Sequence, residues 1–325
     1  MVEINGLVKN YGSIEAVRNV SFTVGDGEIL GFLGPNGAGK STTLNIMTGY
    51  LAATSGSVKI NGYDILEQPR KAKQCIGFLP EQPPLYTEMT VREYLEFVYG
   101  LKGCRMPRRQ HVREVCDLVG ITDAADRIIG NLSKGYRQRV GIAQALIGNP
   151  KVLVFDEPTI GLDPKQIIEI RNLVKMLGRE HTVIISTHIL PEVQAVCDRV
   201  VVINKGSVVA DRRTEDLTLA VSGSRKLDVK IVGPQEDVLK ELRSMTGVRS
   251  AQVVGHNDTD SITYSVESEP NVDIRKPMFF RLASKGWAII GLEGAEMNLE
   301  DIFIRLVDTQ TETKKTKKLM GKAAN

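Results

Sequence analysis

Residues 28–43, "EILGFLGPNGAGKSTT", leave this chain few folds to choose from. An apolar run ends in Gly34-Pro35-Asn36-Gly37-Ala38-Gly39-Lys40-Ser41, which fits G-x-x-x-x-G-K-[ST]. The glycines let backbone N–H groups curl around phosphates, and the start of the following helix favours negative charge. In such a loop Lys40 reaches the β- and γ-phosphates and Ser41 ligates Mg²⁺, with Thr42 completing the nucleotide-binding set. A plain glycine turn between strand and helix is the bland alternative. The strand–loop–helix context favours a nucleotide site over it.

A second stretch supplies the acids. "VLVFDE" is an apolar strand ending in Asp156 and Glu157, which places two carboxylates where α/β sheets carry their sites. Asp156 suits Mg²⁺, directly or through water, and Glu157 suits a general base that polarises the attacking water. Alone, this would pass for a solvated strand end before Pro158; the phosphate loop upstream argues for the site. No N-K-x-D segment is present, which argues against a guanine-reading GTPase.

The apolar patterns around these motifs describe an α/β fold. "VSFTV" at 20–24 alternates as a half-buried strand, and "SGSVKINGYDI" reads as strand around an Asn61-Gly62 turn. "VLVF" and "TVIIS" are continuous apolar runs, the mark of strands covered on both faces. "RVVVINKGSVVAD" reads as a hairpin. Thr90 and Glu93 have capping-box spacing ahead of an apolar face of Val91, Tyr94, Leu95 and Val98. The expectation is a mostly parallel sheet in residues 1–215, interrupted by a helical insertion at about 87–145.

A chain of 325 residues has room for a second core. Residues 216–225 read as a linker. The order strand 226–232, helix 235–245, strands 248–254 and 261–267, helix 272–285 and strand 287–292 then matches a ferredoxin-like βαββαβ unit, within a second domain at 226–308. Pro277 argues for a later start to the second of those helices. A last helix at 298–308 and a basic, disordered tail at 309–325 complete the expectation.

Composition excludes more than it selects. The formal charge is +3, so no nucleic-acid partner is expected. Cys75, Cys104, Cys116 and Cys197 form no CxxC pair, and the four histidines are dispersed, which fits reduced thiols better than a disulfide frame or zinc site. No apolar run approaches the ~18 residues of a membrane span. A role at a membrane would need another chain to carry the spans.

One segment resists the single-chain reading. "NLSKGYRQRVGIAQALIG", 131–148, has an ordinary buried helix pattern, yet its front offers Ser133, Lys134 and Gly135 with no acid, base or metal ligand beside them. Placed before "FDEPTIGLDP" and "STH", it resembles the ATP-binding subunits of ABC transporters, over roughly residues 2–215. The fold implied is a P-loop NTPase of ABC-ATPase type. The function implied is binding and hydrolysis of ATP with Mg²⁺, driving dimerisation of two such subunits beneath membrane permease subunits, on the cytoplasmic face of the membrane.

By that resemblance Ser133 and Gly135 bind the γ-phosphate of ATP held by the other subunit. Tyr11 matches an aromatic that stacks on adenine, although a packed strand-end tyrosine fits equally. Gln82 matches a glutamine near Mg²⁺ and the attacking water, or is simply a polar loop residue. Asp163 matches a loop exchanged across the dimer, while Asp-Pro is also a helix-start signal. His188 matches a histidine contacting the γ-phosphate, against the commoner structural role. Lys134 and Tyr136 depart from the usual glycine and glutamine. The segments together most resemble type-2 exporters, including the gliding-motility-type group. A soluble ABC ATPase acting on ribosomes or DNA is the alternative, set back by a single cassette and no coiled-coil or zinc insertion. A ligand sensor built on 226–308 is the third reading, without site chemistry to support it.

Overall fold

Two patterns of apolar residues sort the strands of the first half into two sheets. The computed structural model describes residues 1–216, 226–258, 261–269 and 272–294, and the chain divides into the units Met1–Thr214 and Glu215–Asn325. Strands β1 (Val2–Tyr11), β2 (Ile14–Val24), β4 (Ser55–Ile60) and β5 (Tyr63–Asp64) form an antiparallel sheet in the order β2-β1-β4-β5. In β2, Val20, Phe22 and Val24 are buried while Ser21 and Thr23 are exposed. This corrects the single, mostly parallel sheet expected from the sequence. Alternation means one wet face, and an antiparallel sheet can keep one.

The continuous apolar runs behave differently. Strands β3 (Ile29–Leu33), β7 (Val152–Asp156) and β8 (Thr182–Thr187) are buried at every position. They pair in parallel with β6 (Ile76–Leu79) and β9 (Arg199–Asn204), and β10 (Ser207–Arg213) closes the edge antiparallel, in the order β10-β9-β3-β8-β7-β6. Outside the insertion this unit also carries helices α1 (Lys40–Met47), α2 (Pro69–Gln74), α6 (Pro164–Leu177) and α7 (Leu190–Val196). Asn61 and Gly62, at φ 49° and 82°, make the tight turn between β4 and β5.

The insertion contributes α3 (Val91–Lys102), α4 (Arg108–Val119) and α5 (Lys134–Leu146). Its first helix starts with the expected capping box. The Glu93 N–H donates to the Thr90 hydroxyl, and the Glu93 carboxylate accepts from the Thr90 N–H at 2.8 Å. Lys102 ends the same helix and donates to the carbonyls of Ala145 at 3.2 Å and Ile147 at 2.8 Å, tying α3 to the end of α5.

Burial pushes the Lys102 ammonium down to about 8 from its ordinary 10.5. Between those values the unfolded chain binds more protons, so stability rises with pH across the window and is lost as pH falls through the lower value. Compared with Lys102→Met, the wild type is expected to gain up to ~3 kcal/mol from pH 8 to 10.5. Denaturant unfolding at either end of the window measures it. A gap that moves the other way would contradict burial as the dominant cause.

In the second unit, β11 (Lys226–Val232), α8 (Gln235–Ser244), β12 (Val248–Asp258), β13 (Ser261–Ser268), α9 (Arg275–Ala283) and β14 (Ala288–Gly294) follow the expected βαββαβ order. The sheet is antiparallel, ordered β12-β13-β11-β14, with Val229, Ile231, Tyr264 and Val266 in a core shared with Val238, Leu242, Met278 and Leu282. Helix α9 begins at Arg275, later than residue 272, so Pro277 falls in its first turn, where no N–H is needed. Most of the expected linker, the helix at 298–308 and the tail at 309–325 lie outside the described residues.

Candidate nucleotide-binding site

The phosphate loop is shaped by what surrounds it. Gly39 sits at φ 102°, and a Cβ there would lie 2.7 Å from the Ala16 carbonyl oxygen, so any side chain would be both strained and blocked. Gly39 also caps α1 without a side-chain hydrogen bond. A helix start of that kind offers its first N–H groups to an anion. Asn36, Gly37, Gly39, Lys40, Ser41 and Thr42 line a cavity of about 400 Å³ together with Glu81, Glu157 and Ile160. That volume is in the range of small-molecule sites. Ala38 is buried and its carbonyl accepts from the Gly206 N–H, so it anchors the loop from behind.

Lys40 is buried and paired. Its ammonium donates to the carbonyls of Gly34 at 2.8 Å and Pro35 at 3.3 Å, and lies 3.3 Å from Glu157 Oε1. Glu157 has φ 48°, a left-handed conformation that costs a non-glycine residue ~1–3 kcal/mol. Its N–H donates to the Ser186 carbonyl at 3.1 Å on the neighbouring strand. The carboxylate oxygens lie 3.1 and 3.0 Å from His188 Nδ1. A carboxylate only accepts, so Nδ1 carries the proton and leaves Nε2 as the other, accepting nitrogen when the ring is neutral. Lys40, Glu157 and His188, distant in sequence, thus meet in one cluster. A buried carboxylate between a cation and an imidazole can serve as a proton acceptor.

Asp156 is also buried and accepts from the Ser186 hydroxyl, its register partner across β7 and β8. Ser41, Gln82 and Asp156 line one groove of about 650 Å³ beside the phosphate cavity. A hydroxyl, a side-chain amide and a carboxylate are the oxygen donors that a hard cation such as Mg²⁺ takes, so the set fits. Glu81 lines both spaces, whereas Gln82 does not line the phosphate cavity. The sequence reading passed over Glu81, whose only signal was its place one residue before Gln82.

The remaining candidates lie apart from this cluster. Tyr11 stands at the end of β1, 47 % exposed with the Lys9 ammonium 5.3 Å from its ring centre, so it is not packed into the core. Asp163 caps α6, accepting from the Gln166 N–H at 2.9 Å. Ser133 caps α5, accepting from the Tyr136 N–H at 3.3 Å. Gly135 is buried under the Gln166 side chain; a Cβ there would lie 2.6 to 2.7 Å from its amide atoms. Neither Ser133 nor Gly135 lines the phosphate cavity. Farther along α5, Gln138 donates to the Pro158 carbonyl at 2.9 Å, joining that helix to the loop after Glu157.

Residues 17–160 match the family described as ABC transporter. The ABC transporter ATP-binding protein YxlF of Bacillus subtilis is 32% identical over 308 residues, covering 94% of this chain and 99% of that protein. The linearmycin resistance ATP-binding protein LnrL of Bacillus subtilis is 32% identical over 310 residues, covering 94% and 98%. Among solved structures, the dimeric post-hydrolysis state of the ATP-binding cassette MJ0796 bound to ADP and Pi superposes with a TM-score of 0.60 at 29% identity. It covers 66% of this chain and 99% of that one.

Proposed function

The chain belongs to the ABC transporter ATP-binding proteins, and from that membership we propose that it powers export by ATP-driven pairing of two such subunits. It is an ATP-binding subunit with an ABC ATPase domain. The observation that carries the proposal is the Lys40–Glu157–His188 cluster beside the phosphate cavity, with Ser133 and Gly135 placed outside it. Such a site is half of one. The proposal completes it with Ser133 and Gly135 from a second copy or a related subunit.

In this reading the 34–42 loop and Lys40 hold the phosphates, Glu157 accepts the proton of the attacking water, and His188 contacts the γ-phosphate. Tyr11 meets the adenine and Asp163 faces the other subunit. Ser41, Gln82 and Asp156 would hold Mg²⁺, which neutralises phosphate charge when bound. Pairing is supported by the dimer and products named for MJ0796, and export by the resistance function named for LnrL. Among the described residues no helix is long and apolar enough to cross a membrane, so the partners proposed are integral-membrane permease subunits, with this chain on their cytoplasmic face. Kinship with the gliding-motility-type group and a packing or dimerisation role for the second unit belong to the same proposal.

Magnitudes favour ATP as the adhesive. A helix end gives only ~0.3–1 kcal/mol when exposed, but hydrogen bonds to a charged phosphate add ~1.5–3 kcal/mol each. Glu157→Gln protein is therefore expected to become a dimer with ATP and to stay monomeric with ADP. Sedimentation with each nucleotide decides it. Equal dimerisation with ADP would contradict a γ-phosphate bridge.

A further inference from the structure

Glu192 is a buried acid on α7 that the chemistry above leaves without a task. Its Oε1 accepts from the Thr159 hydroxyl at 2.6 Å, and its Oε2 accepts from the Thr187 hydroxyl at 2.7 Å. Arg171 Nη2 lies 3.9 Å from Oε1, across a carboxylate only 6 % exposed. Thr159 is two residues past Glu157, and Thr187 immediately precedes His188. The Thr187 hydroxyl also accepts from the Ile189 N–H at 3.1 Å, so it holds the backbone on the far side of His188. One carboxylate therefore grips both segments whose side chains face each other across the Glu157–His188 contact.

A charge in such a place is costly, because burial strips it of water and its cation is not in direct contact. Apolar packing would satisfy the core at lower cost. What the carboxylate adds is direction. It only accepts, so both threonine hydroxyls must donate to it, and both rotamers are set by one group.

We propose that Glu192 is a positioning residue for hydrolysis, coupling the segment after Glu157 to the segment around His188 so that the two side chains keep their register. The proposal rests on the assignment of Glu157 and His188 to the hydrolytic step. It also supplies a route by which movement at 159–163, the segment leading to Asp163, reaches His188 within the same chain.

Glu192→Gln keeps the shape and one acceptor oxygen but cannot accept from both hydroxyls through equivalent atoms. Small misplacements of reacting groups cost up to ~100-fold in rate, so kcat is expected to fall at least ~10-fold while KM and equilibrium ATP affinity stay within about twofold. Thr159→Val and Thr187→Val each remove one hydroxyl at nearly constant volume and keep the question open to test should Glu192→Gln fold poorly. Combining either with Glu192→Gln should add less than about twofold to the loss in kcat, because the coupling is already broken. Wild-type kcat in Glu192→Gln, or fully multiplicative losses in both double variants, would overturn the proposal. A lower melting temperature with unchanged kcat would show a structural role only. Glu157→Gln measured in parallel separates the premise from the inference. Retained turnover there removes the base assignment, and lost turnover there with normal Glu192→Gln removes only the positioning role.

Discussion

Glu157→Gln is expected to lose ATP turnover by ~10²–10⁴-fold while nucleotide binding persists. The amide has nearly the carboxylate's shape and can still meet Lys40 and His188, but it cannot take a proton from water. Lys40→Ala is expected to fail differently. It removes a charge-assisted contact to phosphate, ~1.5–3 kcal/mol of binding. It also leaves the buried Glu157 carboxylate without the cation 3.3 Å away, so this variant should lose stability as well as affinity. Equilibrium ATP binding, phosphate release and thermal unfolding on both proteins distinguish the two lesions. Equal loss of nucleotide affinity in both would sink this division of roles.

Gly135→Asp is expected to abolish ATP-driven pairing with little effect on ATP binding by the monomer. At ~4 Å and an effective dielectric of ~20, a carboxylate and a phosphate charge repel by ~4 kcal/mol. The helix end returns at most ~1–2 kcal/mol, so repulsion wins. There is also a cost within the chain, since the new side chain would press on the Gln166 amide. That amide is the free end of a flexible side chain, and Gly135→Asp/Gln166→Ala removes the clash without restoring the anion site. Mixing Gly135→Asp with Lys40→Ala subunits places both lesions in one composite site and leaves the other intact. Some pairing with ATP should then return, read by sedimentation. Weak ATP binding by Gly135→Asp monomers, with or without Gln166→Ala, would mean that the helix serves its own chain's site.

Several features of this molecule were legible because their signals are short. The phosphate loop, the acidic strand end and the capping box at Thr90 are each written within a few consecutive residues, where backbone geometry links them directly. The same holds for the hairpin of β9 and β10 and for the βαββαβ order of the second unit, whose apolar periods change visibly at each element. The 131–148 segment was recognisable for the opposite reason, since its helix start has no acid, base or metal ligand beside it in the sequence. Strand β1 was legible only at its end, Tyr11, because "VEINGLVKNY" breaks its alternation where the register with β2 shifts.

By itself, then, the sequence determined which segments become strands and helices in most of both units, and which residue types stand at the phosphate loop and its acidic neighbour. Only the tertiary structure decided that β1, β2, β4 and β5 form a sheet of their own, and that Lys40 and His188 both meet the Glu157 carboxylate. It alone placed Glu81 on the phosphate cavity, Gln166 over Gly135 and Glu192 between two threonines. The physical reason is range. Periodicity and turn chemistry act over neighbouring residues, whereas these contacts join residues that approach only when β7 and β8 pair and helices pack beside them.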